Sequence, residues 1–563
     1  MLLKFIFLTA LLLPTSAFAD QTHALTMHGA PALEDDFTHF NYTDPNAVKG
    51  GKLTQSALGT FDTLNHMNIK GKPALGLNLL HDQLMARNWD EPFTLYPLIA
   101  ESIEVSEDRS QITYYLNKNA TFHDGSPITS DDVMTTFELL KTFGKPIRRQ
   151  VYALVDQVEK IDDHTVKFTF GEGYDRESIM ILSIMPVLSQ KHWATRNFDA
   201  TTLDPFITSG PYKIFKVEPG RQITYERVKD YWAKDFPSRK YQYNFDTITF
   251  DYYRDSSVAF EAFKSGDIDL WRENDAARWA RDYDFPALKD NKIKKSAFDN
   301  QRPAITRAMV FNTRRPIFED IRTRKALSLA FDFKWINRTL FAGAYKRLTS
   351  VFENSPLSCK CWEAPSTNTR KNLRQASKLL TESGWTIKDG KRVNASDEAL
   401  SFEILLQDPK EEKIALNYAR NLEKLGVNVK IRPVDSAQFL GRLNDFDFDM
   451  VLFRWINSLS PGNEQSIYWG SEAADINGTR NYADIKDPEI DAIIKELVDT
   501  TTREGLRQAA HKLDQKLMNG YYFIPLYYAP KDLIAHETAL GIPQKSPIYG
   551  PVIESWWKAS QSQ

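Results

Sequence analysis

Hydrophobic and polar residues alternate along several short segments in the period-two pattern that is typical of half-buried β-strands. Thr165–Phe170 and Ile248–Tyr252 are two such segments. Between the strand-like segments lie stretches with apolar residues at helical spacing. One of them, residues 411–425, ends at Gly426 and continues directly into the alternating segment Val427–Ile431. This order of helix, glycine and strand predicts an α/β protein.

Polar residues that can cap helix N-termini mark the starts of further predicted helices. We expect Asp320, Asn372 and Asp487 to act as such caps. Another helix is predicted over residues 503–518, and the strand-like run Tyr522–Tyr528 follows it. The sequence contains no low-complexity linker between these elements. We therefore expect domains that are joined by chain crossings rather than by a flexible tether.

The first nineteen residues have the pattern of a secretory signal peptide. Lys4 precedes a short apolar run, and Ala17-Phe18-Ala19 ends it with small residues at the spacing of a cleavage site. The run is too short to span a bilayer. No cysteine stands at the expected cut for a lipid anchor. We expect cleavage after Ala19 and export to a bacterial periplasm.

The composition is typical of a soluble globular protein rather than a disordered, fibrous or polytopic membrane protein. The 563 residues are 26% charged and 42% hydrophobic, and the mean hydropathy is −0.44. At about 150 residues per domain, this length predicts about two to four domains. The net charge of −3, which becomes −4 once the leader and its single lysine are removed, gives no basic surplus for nucleic acid. The 12 tryptophans suit large cores or a binding cleft.

Motifs of catalytic sites are absent from the sequence. It contains no G-x-S-x-G elbow, no H-E-x-x-H pair and no phosphate loop, and its ten histidines do not cluster as metal ligands. His123 and Asp124 could form an acid–base pair, but the following Gly-Ser-Pro favours a tight turn. We therefore expect no catalytic residues, no metal site and no cofactor.

The two cysteines, Cys359 and Cys361, leave two alternatives open. Export permits oxidation, and their spacing allows a local disulfide that would close almost no loop. Two free thiols are equally compatible with the sequence. A metal site is disfavoured because no histidine or second cysteine pair stands nearby.

A series of short segments occurs in the same order as in one known family. From Gly50 onward the chain resembles the family 5 extracellular solute-binding proteins, the peptide- and nickel-binding group that supplies ABC importers. The longest match combines a strand, a Gly-Ser-Pro turn and a capped helix start. The matching segments are Gly50–Thr54, Tyr96–Val105, Thr121–Val133, Thr208–Tyr212, Asp230–Trp232, Phe263–Asp269, Arg322–Leu327 and Leu379–Trp385.

Three further segments resemble a narrower group, the Yej-type branch. They are Ala57–Asn65, Asp90–Tyr96 and Ser460–Gln465. That branch is associated with uptake of peptides and of the peptide–nucleotide antibiotic microcin C. The segment from Ser355 to Asn368, which contains both cysteines, does not match the branch.

The resemblance implies an α/β, two-lobed periplasmic binding protein, a type II clamshell similar to the large cluster C proteins, with an extra inserted subdomain. On this chain the first lobe would comprise residues 20–67, 208–297 and 523–563. The inserted subdomain would comprise residues 68–207, and the second lobe residues 298–522. Two chain crossings would form a hinge, and a ligand would stabilise the closed state by contacting both lobes.

The resemblance also places an extended ligand between one segment of each lobe, bonded to main-chain groups as in strand addition. The residues implied in the first lobe are Leu58, Gly59, Thr60, Phe61 and Asp62. Those implied in the second lobe are Arg454, Trp455, Asn457, Ser458 and Glu464. We expect Trp455 to line the cleft, with a position in the core as the alternative.

One departure from the family's pattern concerns the ligand's amino end. Peptide-binding relatives often carry an aspartate three residues after the second-lobe tryptophan, and here that position is Ser458. A neutral hydroxyl cannot supply the charge-assisted bond of a carboxylate. Either Glu464 or Asp62 would then substitute, or the amino end is held differently. Arg454 could meet a ligand carboxylate or phosphate.

The sequence therefore predicts a monomeric periplasmic receptor, not an enzyme, that captures short peptides or conjugates such as microcin C. It would deliver them to an inner-membrane ABC permease with its ATPase, with no cofactor and no nucleic-acid partner. One alternative is a secreted hydrolase that acts on glycans with stacked aromatic residues and two acids. Another is a binder of an oligosaccharide or a metal chelate on the same fold.

Overall fold

The computed structural model describes residues 21–408 and 411–559. The predicted signal peptide, residues 1–19, lies outside the described residues. Three sheets of four or more strands organise the described part of the chain, and we call the regions built on them the first lobe, the inserted subdomain and the second lobe. None of the helices in these ranges is long and apolar enough to cross a membrane.

The first lobe is built on a seven-stranded mixed sheet. Lys52–Leu58 lies inside it and runs parallel to both of its neighbours. Three helices belong to this lobe: Ser256–Ser265, Ala276–Arg281 and Pro286–Lys289. In spatial order the strands are Ile293–Phe298, Asp532–Glu537, Leu270–Glu273, Lys52–Leu58, Thr247–Tyr253, Gln222–Arg227 and Tyr212–Glu218.

The inserted subdomain combines an antiparallel four-stranded sheet with a small three-stranded sheet. Strand Thr165–Phe170 alternates between buried and half-buried residues, as its sequence predicts. The four-stranded sheet runs Ala100–Val105, Gln111–Leu116, Thr165–Phe170, Val155–Asp162, and the small sheet runs Leu25–Thr26, Thr94–Pro97, Met85–Arg87. The helices are Ser130–Phe143, Pro146–Ala153, Arg176–Ser183 and Gln190–Trp193.

The second lobe has a five-stranded sheet with hydrophobic cores on both faces. Val310 and Val451 belong to one core, whereas Met309 and Leu452 belong to the other, because alternate residues of a strand point to opposite faces. The strands are Asn428–Pro433, Ser401–Leu406, Met450–Trp455, Thr306–Phe311 and Phe523–Pro525. The helices are Ile321–Leu329, Phe333–Leu340, Thr369–Glu382, Glu412–Glu423, Ser436–Asn444, Glu464–Trp469, Pro488–Asp499 and Arg503–Asn519.

Three two-stranded ladders complete the strand pairing of the described residues. They pair Lys346–Arg347 with Tyr527–Tyr528, Thr386–Lys388 with Lys391–Val393, and Leu540–Gly541 with Trp557–Lys558. The predicted final strand is therefore split at Leu526, since Phe523–Pro525 and Tyr527–Tyr528 pair with different partners.

Most predicted helix starts are confirmed, and one is wrong. The side chains of Asp320 and Asp487 accept backbone N–H bonds at the helix starts where we expect caps. Asn372 is not a cap, because the helix begins one turn earlier and Asn368 caps it. Asn372 lies inside the helix, where its amide donates to the Ser366 carbonyl over 2.7 Å.

Two short chain segments join the first lobe to the second. Residues 299–305 connect Ile293–Phe298 of the first-lobe sheet to Thr306–Phe311 of the second-lobe sheet. Residues 529–531 connect Tyr527–Tyr528, which pairs with Lys346–Arg347, to Asp532–Glu537 of the first-lobe sheet. Arg302 on the first crossing donates to Asp532, at the end of the second, over 2.9 Å. The same guanidinium donates to the Tyr549 carbonyl over 2.6 Å. These bonds tie the two crossings together.

Two strands do not follow the domain boundaries that the resemblance implies. Phe523–Pro525, assigned to the first lobe, pairs with Thr306–Phe311 in the second-lobe sheet. Leu25–Thr26, also assigned to the first lobe, pairs with Thr94–Pro97 of the inserted subdomain. In both cases a short apolar strand completes the nearest sheet edge. The remaining boundaries stay a prediction.

A buried carboxylate anchors the segment that contains the cysteines. Cys359 and Cys361 form a disulfide, with their Cα atoms 5.2 Å apart. Asp514 has no solvent exposure and accepts hydrogen bonds from the Cys359 N–H at 3.0 Å and the Val351 N–H at 2.9 Å. The Ser350 hydroxyl donates to it over 2.7 Å. Asp514 therefore holds this segment against the second lobe.

We expect Asp514→Ala to lower the free energy of unfolding by about 2–4 kcal/mol, because it leaves three buried donors without an acceptor. Urea unfolding followed by circular dichroism measures the change. Asp499→Ala is the matched control, since that side chain is 58% exposed and, among the described residues, forms an ion pair with Lys495 alone. It should stay within about 0.5 kcal/mol of the wild type. Equal effects of the two substitutions would contradict the anchoring role of Asp514.

Candidate functional site

A cavity of about 660 Å³ lies between the first and second lobes, beside the two chain crossings. Strand ends, loops and helix starts of both lobes line it. Gln55, Ser56, Leu58, Arg272 and Asn274 are among the first-lobe residues, and Arg307, Phe341, Tyr345, Glu411, Arg454 and Tyr527 are among those of the second lobe. A second cavity of about 440 Å³ continues from it along the crossings. Walls from two lobes around a hinge are the arrangement of a ligand cleft.

The first-lobe segment predicted to bind ligand reaches the cavity only at its start. Leu58 ends its strand, is 58% exposed and lines the cavity. Gly59 has φ +91° and donates its N–H to the Tyr253 carbonyl. Gly59 and Thr60 are exposed but do not line this cavity.

The last two residues of that segment have structural contacts instead. Phe61 is 2% exposed and packs in the core of the first lobe, so its assignment to the ligand site is wrong. Asp62 caps a neighbouring loop by accepting the Lys72 N–H over 2.5 Å. The chain turns after the strand ends at Leu58, and Phe61 therefore points back into the core of the first lobe.

Trp455 does not line the cleft, so the alternative interpretation of a core tryptophan is correct. Its side chain has no solvent exposure. Its ring lies 4.6 Å from that of Trp469 and 5.7 Å from that of Phe523, measured between centroids. The neighbours Arg454 and Ile456 point the other way, and Ile456 is 65% exposed. Strand alternation therefore places Arg454 in the cavity and Trp455 in the core.

Asn457 and Ser458 support the loop that follows this strand. Asn457 is 7% exposed, and its amide donates to the Val351 carbonyl over 2.8 Å. The Ser458 hydroxyl accepts the Ser460 N–H at 3.1 Å. Neither residue lines the cavity between the lobes.

Glu464 lies where the second lobe contacts the inserted subdomain. Its carboxylate accepts the Gly462 N–H at 3.0 Å. The carboxylates of Glu464 and Glu177 both lie beside Gly462. A methyl group placed on the Cα of Gly462 would be 3.7 Å from an oxygen of each. Burial raises the pKa of Glu177 to about 7, and the charge of Glu464 adds to the rise. Two carboxylates from different parts of the fold thus share one small region.

Further contacts hold this side of the cleft together. Arg503 of the second lobe donates to the Pro92 carbonyl of the inserted subdomain over 2.9 Å and to the Leu459 carbonyl over 3.1 Å. Asn463 donates to Asp175. These bonds join the second lobe to the inserted subdomain.

Positive charge predominates in the cavity between the lobes. Three acids line it together with six cations. Among the described residues, only one of the six cations forms an ion pair: Arg278 bonds to the buried Glu273. The acids are Asp275, Asp408 and Glu411, and the cations are Arg272, Arg278, Arg281, Arg307, Lys413 and Arg454.

Sequence reasoning missed Arg307, Glu411 and Glu177. Arg307 could have been found from the alternation of Thr306–Phe311, since its neighbours are buried and it is not. Glu411 and Glu177 precede or begin helices far apart in sequence, and only the fold brings them to the cleft. His123 takes the predicted turn, where its ring bonds to the Gly210 carbonyl and the Thr208 hydroxyl.

No group of three or more histidine, cysteine, aspartate or glutamate residues within 21–408 and 411–559 is placed to hold a metal ion. The site therefore consists of main-chain edges, aromatic side chains, unpaired cations and two separate groups of acids. Such a surface can bind an extended, charged organic ligand.

A family model described as bacterial extracellular solute-binding proteins, family 5, matches residues 94–477. The peptidoglycan-binding protein YepA of Agrobacterium fabrum is 38% identical, over 97% of this chain and 97% of its own length. The probable peptide-binding protein YejA of the same organism is 36% identical, over 98% and 96% of the two chains. YejA of Escherichia coli is also 36% identical, over 95% and 93%. The resemblance to the Yej-type branch is thereby confirmed.

Solved structures confirm the predicted two-lobed α/β fold. The oligopeptide-binding protein AppA of Bacillus subtilis, in complex with a nonapeptide, aligns over 92% of this chain and 100% of its own with a TM-score of 0.65 at 22% identity. NikA of Brucella suis, in complex with Fe(III)-EDTA, aligns over 90% and 100% with a TM-score of 0.72 at 20% identity. At these identities the likeness establishes the fold alone.

Trp455, at the end of its strand, and Ile456, the next residue, point in opposite directions and allow a direct test of the core position. We expect Trp455→Ala to lower the free energy of unfolding by about 3–5 kcal/mol, because it opens a large cavity among aromatic rings. Ile456→Ala, on the exposed face, should cost less than about 1 kcal/mol. Guanidinium unfolding monitored by fluorescence measures both. A Trp455→Ala protein as stable as the Ile456→Ala protein would contradict the core position of Trp455.

Proposed function

The chain belongs to the family 5 bacterial extracellular solute-binding proteins, and from that premise we propose that it is a periplasmic receptor for short peptides. It captures them by closure of its two lobes and delivers them to an inner-membrane ABC permease with its ATPase. It is exported by cleavage after Ala19, acts as a monomer and makes or breaks no bonds in its ligand. Peptide conjugates such as microcin C fall within the same proposal.

The observation that carries this proposal is the cavity of about 660 Å³ whose walls come from both lobes beside a hinge of two crossings. A ligand that contacts both walls stabilises the closed state, because it loses contacts when the lobes part. Ser56 and Leu58 lie near the end of one central strand, and Arg454 lies near the end of another. An extended peptide between these strand ends can bond to main-chain groups whatever its side chains are.

For the ligand's amino end we propose Glu464, with Glu177 beside it. Burial raises the pKa of Glu177 to about 7, and the charges of Glu464 and Asp175 add to the rise. An ammonium group placed among these carboxylates would favour the charged form of Glu177 and gain charge-assisted hydrogen bonds. Asp62, the other candidate, lies like Glu464 outside the lining of the cavity and accepts a backbone N–H, so the neighbouring Glu177 is what favours Glu464.

A second candidate ligand is a peptide fragment of peptidoglycan. The name of the 38% identical relative YepA supports it. The excess of cations in the cavity also favours ligands that carry several carboxylates. A metal chelate has weaker support, since the likeness to NikA concerns the fold alone. A glycan hydrolase would need an acid pair in the interlobe cavity at a catalytic spacing, and no observation nominates one.

The receptor proposal predicts that a pool of short peptides raises the melting temperature of the purified protein. Binding to the folded state alone adds about 2.7 kcal/mol of stability when the free ligand is at 100 times Kd. Differential scanning fluorimetry with peptides, muropeptides, oligosaccharides and metal chelates in parallel separates the candidates. A shift with sugars or chelates and none with any peptide would overturn the peptide proposal.

The amino-end anchor predicts a pH dependence. Because the pKa of Glu177 is raised to about 7, the group is protonated at pH 5.5 and charged at pH 8. The affinity for a peptide with a free α-amino group should therefore rise between these pH values, whereas that for its N-acetylated analogue should not. Glu464→Gln should weaken binding of the free-amine peptide about tenfold at pH 8. Titration calorimetry with the two peptides at the two pH values measures all four affinities. An acetylated peptide that binds as well as the free amine would contradict the anchor.

A further inference from the structure

Two arginines lie directly opposite each other on neighbouring strands at the cavity wall. Arg307 on Thr306–Phe311 is in register with Arg454 on Met450–Trp455. Residues in register on antiparallel strands have Cβ atoms about 4.5–5.5 Å apart, and like charges in such a pair destabilise the sheet. Both side chains line the cavity. The second lobe thus carries a local electrostatic cost at its ligand-facing edge.

Neither guanidinium has an ion-pair partner among the residues that the structure describes. The Nε of Arg307 is buried and has no hydrogen-bond partner. Two buried arginines elsewhere in the same lobe are satisfied: Arg324 donates to four carbonyl groups, and Arg392 donates to carbonyls and hydroxyls around it. A third, Arg347, also has a buried Nε without a partner among the described residues, and it pairs with Tyr527, which lines the same cavity. Guanidinium groups without ion-pair partners on one cavity wall can accept an anionic ligand group.

The nearest acids do not supply that partner. Glu411 is close enough for both arginines to favour its charged form, yet burial dominates and its pKa is raised. Among the described residues, Glu411 forms no ion pair with either arginine, because none of its oxygens lies within 4 Å of an arginine nitrogen. Asp408 is also nearby and opposes the ionisation of Glu411.

We propose that Arg307 and Arg454 form a clamp for a carboxylate of the bound peptide and make the receptor selective for ligands that carry one there. This inference rests on the proposed peptide-binding function and specifies its substrate class. A guanidinium presents a planar fork that matches a carboxylate bidentately, and two forks side by side can hold both oxygens. The carboxylate would also remove the repulsion between the two arginines.

The surroundings of the clamp indicate what the carboxylate is attached to. Arg454 borders a side cavity of about 320 Å³ as well as the main cavity. Apolar side chains, among them Ile305, Ile456 and Phe439, line this side cavity. A peptide carboxylate at the clamp can therefore be followed by an apolar group. The carboxylate itself can be the C-terminal group or an acidic side chain, and the experiment must separate these sources.

Four tetrapeptides with one common sequence provide the probes: a glutamate or a glutamine at one position, each with a free or an amidated C-terminus. Titration calorimetry gives Kd for each. We expect at least tenfold tighter binding of the peptide with the carboxylate that fits the clamp than of its amide. The pair of peptides that shows the difference identifies the source.

The variants Arg454→Gln and Arg307→Gln should bring this ratio of Kd values close to one while leaving the Kd of the fully amidated glutamine peptide within about threefold. Arg454→Lys, which keeps the charge but not the fork, should retain an intermediate ratio. The melting temperature of the unliganded Arg454→Gln protein should not fall below that of the wild type, because the substitution relieves repulsion. That measurement separates a lost clamp from a lost fold.

Arg420→Gln is the matched control, since Arg420 is exposed on the helix Glu412–Glu423 of the same lobe, does not line the cavity and has no ion pair among the described residues. It should leave the ratio within about threefold of the wild type. The clamp is overturned if the ratio survives in both Arg307→Gln and Arg454→Gln, or if Arg420→Gln abolishes it equally. If the wild type binds all four peptides equally, the clamp fails while the receptor proposal stands. If it binds none of them, both fail.

Discussion

The site depends on the two chain crossings between the lobes, residues 299–305 and 529–531. They are short, and the bonds of Arg302 to Asp532 and to the Tyr549 carbonyl tie them to each other and to the C-terminal region. In the lobe closure that we propose, a pair of tied crossings allows rotation about one axis but limits sliding between the lobes. The strand ends that line the cavity therefore stay facing each other, which is the condition for an extended ligand to bond to both.

Side chains along the strand Met450–Trp455 point alternately to the two faces of its sheet. Which alternate set faces the cavity decides which side chains meet that ligand. The alternating pattern and the family resemblance together predicted a ligand-binding segment here; of its residues Arg454 lines the cavity, and its role in binding stays a prediction. They could not decide which set faces the cavity, since a tryptophan suits a core and a cleft equally well. Only the packing of Trp455 against Trp469 and Phe523 settles it. The same limit explains Phe61, which follows a cleft residue by three positions but faces the core.

The rest of the fold shows where local patterns suffice. Strands with strict alternation and helices with an aspartate at their start were predicted well, because the interactions that define them lie within a few residues. Asn372 was mistaken for a cap because Asn368 offers the same chemistry four residues earlier. The pairing of Arg307 with Arg454 and the proximity of Glu177 to Glu464 needed the fold itself, since each pair joins segments more than 100 residues apart in sequence. Charges thus gather at two separate places: Glu177 and Glu464 lie where the second lobe contacts the inserted subdomain, and cations of both lobes line the interlobe cavity.

That separation suits a ligand with an ammonium at one end and a carboxylate toward the other, as a peptide has. The most direct measurement is native mass spectrometry of the protein purified from the periplasm, followed by gentle release and sequencing of whatever it carries. The account predicts a family of short peptides or murein-derived peptides, with masses that disappear when the ligand is exchanged. Release of sugars or metal chelates, with no peptide mass in any preparation, would contradict it.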